Sequence, residues 1–136
     1  MNREDFYREL INKIAEQNED ELLNQVFQSD SHIAFGTDRF HYEVRYQTPE
    51  RPFEIRLAFA SDNLEENKQL AEITRISFKE ADIHLEAKEN LTQKKVHLIY
   101  ATHKHLDYIP TPHETAEMVL EAFAVTPQKT LDWALD

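Results

Sequence analysis

Two stretches of the chain alternate apolar and polar residues with a period of two. In RFHYEVRYQ, Phe40, Tyr42, Val44 and Tyr46 face one way, and Arg39, His41, Glu43, Arg45 and Gln47 face the other. In PFEIRLAFA, Phe53, Ile55, Leu57 and Phe59 repeat the pattern. That period marks strands with one buried sheet face and one wetter face. Just upstream, SHIAFG predicts a shorter strand around Ile33 and Phe35. The connections GTD and TPERP are short and turn-like, so the three strands read as an antiparallel meander. A second hairpin is expected in ADIHLEAKENLTQKKVHLIYA. There Ile83, Leu85 and Ala87 pair with Val96, Leu98 and Tyr100 around the polar turn KENLTQKK.

Helical spacing fills the remainder. Phe6, Tyr7, Leu10, Ile11 and Ile14 recur every three or four residues, and Leu22, Leu23, Val26 and Phe27 continue the apolar stripe. One long N-terminal helix is predicted, with Asn18 as the place where it would break. A central helix starts at SDNLEENKQLAEI, with Asp62 as N-cap and Glu65 three residues on. The clearest start is TPHETAEMVLEAF. Thr111 is the N-cap, Pro112 occupies the first helical position, and Glu114 completes a capping box. A short further helix begins at Pro127 with Thr126 as its cap, docked by Leu131, Trp133, Ala134 and Leu135. The order is therefore α-β-β-β-α-β-β-α with that short C-terminal addition. It describes a two-layer α+β fold, an antiparallel sheet of about five strands with helices packed on it.

Composition narrows the function classes. The 136 residues suit one domain, 1–136. There is no cysteine, which excludes disulfides, thiolate metal sites and Cys nucleophiles. No apolar run reaches the ~18 residues that a membrane span needs, and MNREDFYREL lacks the apolar core of a signal peptide. A cytoplasmic protein with no membrane role is expected. With 26 acidic and 15 basic residues the net charge is −11. Direct nucleic-acid binding is not expected, because it depends on Lys and Arg against phosphates. The single glycine, Gly36, leaves no P-loop, dinucleotide fingerprint or nucleophile elbow, and no cofactor is called for.

The stretch YATHKHLDYIPTPHE concentrates three histidines. Its THKHLDY resembles the T-H-x-H-x-D-H metal signature of metallo-β-lactamase-like hydrolases. The closing histidine of that signature is here Tyr108, and its glycines are Ile109, Pro110 and Thr111. No metal is assigned; His103 and His105, two residues apart, are the pair that one would use. Glu43, Glu54 and Glu86 fall on polar strand faces with His41 and His84 nearby. A solvated sheet face is expected there rather than acid–base chemistry, and no catalytic residue is assigned. Two acidic clusters, Glu16, Glu19, Asp20 and Glu21, then Asp62, Glu65 and Glu66, read as solvated helix ends or as contacts for a basic partner.

Across the run from Leu70 to Leu135, a helix leads into a hairpin, a polar loop and a terminal helix with a late Trp. This order, with the size and acidity, resembles the class I secretion chaperones of bacterial type III systems. The resemblance carries no residue-level motif, and the turn glycines usual in that family are absent. It implies a non-enzymatic homodimer that holds an unfolded segment of an exported protein, by strand addition at a sheet edge and pockets for apolar side chains. The acidity also suits a different class, inhibitors such as immunity, anti-restriction, anti-CRISPR or DNA-mimic proteins that block a basic nuclease or nucleic-acid-binding protein.

Overall fold

A computed structural model describes residues 1–18, 20–29, 31–48 and 51–136. Asn2 caps helix α1 (Arg3–Gln17), its side chain accepting from the Asp5 N–H at 2.8 Å. The helix stops at Asn18. There the side-chain amide donates to the Asp20 carbonyl at 2.9 Å, and its oxygen accepts from the Asp20 N–H at 3.1 Å. These local bonds compete with helix continuation. Asp20 then caps a single turn, α2 (Glu21–Asn24). The long N-terminal helix is thus two helices. Val26 and Phe27 leave the stripe to enter strand β1 (Val26–Gln28), where Val26 lies opposite Phe35.

The meander follows as β2 (Ile33–Gly36), β3 (Phe40–Tyr46) and β4 (Phe53–Phe59), then α3 (Leu64–Glu80). Asn63, not Asp62, caps α3, accepting from the Glu66 N–H at 3.1 Å. The hairpin is β5 (Glu86–Asn90) with β6 (Lys95–Thr102), so Ile83 and Leu85 precede the strand instead of belonging to it. A single turn, α4 (His103–Leu106), and helices α5 (Pro112–Val125) and α6 (Gln128–Leu135) complete the chain. The Thr111–Glu114 capping box is present with both of its hydrogen bonds. At α6 the cap is Pro127. Thr126 instead closes α5, its hydroxyl donating to the Ala122 carbonyl at 2.7 Å and meeting the Tyr42 hydroxyl at 2.8 Å.

Among the described residues the sheet has six antiparallel strands in the order β1-β2-β3-β4-β6-β5. One face is apolar. Phe40, Tyr42, Val44, Phe53, Ile55, Leu57 and Phe59 are fully buried there. The helices reach this face. Phe6 of α1 stacks on Tyr46, Phe78 of α3 meets Tyr100, Phe123 of α5 meets Tyr42, and Trp133 of α6 stacks on Phe59. Tyr100 is the extra residue of a bulge, because Ile55 pairs with Ala101 but Arg56 pairs with Ile99. Trp133 and Ala134 dock α6 as expected, whereas Leu135 is 57% exposed. Gly36 holds φ at +136° at the β2–β3 turn, where an added Cβ would lie 2.6 Å from the Phe40 carbonyl oxygen. That backbone shape needs glycine. Among the described residues no helix is long and apolar enough to cross a membrane.

Candidate functional site

The second sheet face holds the main concentration of ionisable groups. Strand pairing sets Glu43 opposite Arg56, and Arg45 opposite Glu54. His97 follows on β6, opposite Ala58. Cross-strand pairs of opposite charge stabilise a sheet, and here they close over one another. Glu43 and Glu54 are 5% and 0% exposed. The expected solvated face is therefore corrected at Glu43 and Glu54, which are buried by their partners' long side chains, whereas Glu86 and His84 are exposed as expected. Alternation placed Glu43 and Glu54 on the right face. It could not show that strand register would stack guanidinium groups and imidazoles over them.

Glu43 is the hub. Its Oε1 lies 3.3 Å from His32 Nε2 and 3.5 Å from His41 Nε2. Its Oε2 lies 3.7 Å from Arg45 Nη2, 3.8 Å from His97 Nε2 and 3.9 Å from Arg56 Nε. The three histidine contacts are ion pairs only when the imidazole is protonated, and Oε2 is buried without a hydrogen-bond partner. Burial by itself raises the Glu43 carboxyl. Contact with His41 and the charges of His32, His41 and His97 outweigh burial and bring it down to about 2. Burial moves the imidazoles the other way. His97 falls to about 4, and His32 is also lowered, each partly restored by Glu43. Near neutral pH the centre thus sets an anionic Glu43 beside Arg45 and Arg56, with the His32 and His97 imidazoles neutral. Glu54 is clamped between Arg51 and Arg56.

The acidic residues singled out from the sequence take up local structural roles. Asp20 accepts from the Leu22 N–H at 2.9 Å, and Glu21 sits in the first turn of α2. Glu16 is exposed, 3.9 Å from Lys13. Glu65, in the first turn of α3, is exposed and 3.9 Å from Lys68. Glu66 accepts the indole N–H of Trp133, which ties α3 to α6. Asp62 is exposed just before the cap. Glu19 lies outside the described residues. His103 and His105 lie on α4, while His113 pairs with Glu117 at 2.9 Å along α5. Among the described residues no group of three or more His, Asp or Glu is arranged to hold a metal ion. The sequence reading missed His32 and His97 as partners of Glu43, since neither is near it in sequence. Comparison with protein-family models, curated proteins and solved structures finds no match for this chain.

Proposed function

We propose that the chain is a non-enzymatic protein-binding protein that holds an extended segment of a partner by adding it as a strand beside β5. The observation carrying this reading is that β5 ends the sheet order and all five of its residues are exposed. An edge strand presents alternate N–H and C=O groups to solvent, a template for another chain. The opposite edge, β1, has only three residues. Beside β5, the hairpin tip exposes Leu91 at 64%, an apolar contact for an incoming segment. Buried, arginine-bound Glu43 and Glu54 suit a structural role better than acid–base catalysis. The reading follows the resemblance to secretion chaperones, so it includes a homodimer and a cytoplasmic setting. Ile76, 46% exposed on α3 and three residues from half-buried Ile73, offers an apolar strip that a second copy would cover.

The net charge of −11 favours a second reading, an acidic inhibitor that docks on a basic protein. Capture of the tagged chain from its native cell, with washes at rising salt, separates the two. A partner retained through high salt and bound through an extended segment, mapped by limited proteolysis, supports strand addition. A basic nuclease or nucleic-acid-binding protein released by salt overturns it in favour of the inhibitor.

A further inference from the structure

We propose that the cavity where the polar sheet face meets α4 is a binding site for a small phosphate-bearing molecule. The inference does not require strand addition, although Glu86 and Lys88 of the cavity lining belong to β5. The cavity measures about 370 Å³, and its lining includes Arg51, Lys88, Lys104, His103 and His105. Its two carboxylates differ in state. Glu54 is held by Arg51 and Arg56, so the cavity's arginine is engaged. Glu86, Lys88 and Lys104 also line the cavity, and none of the three makes an ion pair among the described residues. A chain with 26 acids and 15 bases has thus gathered two unpaired ammonium groups and two imidazoles around one space. His103 Nδ1 is also buried without a hydrogen-bond partner, a cost that a rearranged, ligand-bound ring would relieve.

The donor chemistry selects the anion. A planar carboxylate is best matched by a free guanidinium fork, and the cavity has none to offer. Ammonium and imidazole groups arriving from β5 (Lys88) and from α4 (His103, Lys104, His105) suit a tetrahedral oxyanion instead. The volume lies within the range of about 300–1,000 Å³ typical of organic ligands, which favours a phosphate monoester over free phosphate.

Amide-shift NMR titration of the full chain near neutral pH and at low salt tests this, with glycerol phosphate, inorganic phosphate and succinate as probes. The expected result is saturable shifts at residues 86–88 and 102–105, with glycerol phosphate tightest and succinate weakest. Lys88→Gln with Lys104→Gln should weaken binding about tenfold or more. Glu86→Gln should tighten it, and Lys129→Gln on α6 should change nothing. Both cavity lysines are exposed, so an unchanged melting temperature confirms that the fold persists. Should it not, Glu86→Gln carries the test alone. Absence of saturable shifts, binding that survives the double substitution, or succinate binding as well as the phosphates would each overturn the proposal.

Discussion

Replacing Glu43 with glutamine keeps the side chain's shape and removes the charge at the hub of the polar face. Unfolded, Glu43 takes up its proton near pH 4.5; folded, only near pH 2. In that window the folded state binds fewer protons, so stability is present above pH 4.5 and is lost as the pH falls toward 2. The difference is worth ~3 kcal/mol. That sits at the lower end of the ~3–5 kcal/mol lost when one partner of a buried ion pair is removed. His97 acts in the same direction at higher pH, because burial lowers its imidazole from 6.5 to about 4. Urea unfolding at pH 7, 5 and 3 reads both steps. At pH 7, E43Q should lose ~3 kcal/mol, moving the midpoint by ~1.5 M urea for a slope of about 2 kcal/mol/M. The wild type should weaken from pH 6.5 downward in two stages, and E43Q should keep the upper stage but lose the lower. An E43Q midpoint within ~0.5 kcal/mol of wild type, with an unaltered acid profile, would refute the buried hub and restore a solvated carboxylate.

Other substitutions probe separate parts of the fold. Gly36→Ala should cost more than ~2 kcal/mol, or abolish folding, because its φ of +136° is strained for alanine and the Cβ would strike the Phe40 carbonyl; thermal melting decides. Thr111→Ala removes the α5 capping box and should cost ~1 kcal/mol in urea unfolding. Tyr42→Phe deletes a buried hydroxyl contact with Thr126, and the same assay should show a loss of ~1 kcal/mol. Trp133→Ala should cost ~3 kcal/mol or more, whereas exposed Leu135→Ser should stay within ~0.5 kcal/mol of wild type.

Strong local signals made much of this fold legible in the sequence. Period-two alternation placed β3 and β4 with the correct inward sets, and Thr111-Pro112-His113-Glu114 marked the start of α5. What stayed hidden depended on competition between weak local preferences. Leu22 to Phe27 kept a helical spacing, yet Asn18 and Asp20 formed their own backbone bonds and released Val26 and Phe27 to pair with β2. The polar face was legible as a face but not as a network. Glu43 meets His32 and His97 only through register across four strands, and no local pattern encodes that. His103 and His105 drew attention as a metal pair, while the cavity they line needs Arg51 from the connection before β4 and Lys88 from β5.

Hydrogen–deuterium exchange of the full chain, free and with its captured partner, tests the binding account most directly. Free, the amides of edge strand β5 should exchange faster than those of β3 and β4. With the partner bound, strand addition predicts strong protection of alternate amides within residues 86–90. Unchanged exchange across 86–90, with protection confined to the acidic helix ends around Asp20 and Glu65, would contradict strand addition and make the chain an acidic inhibitor.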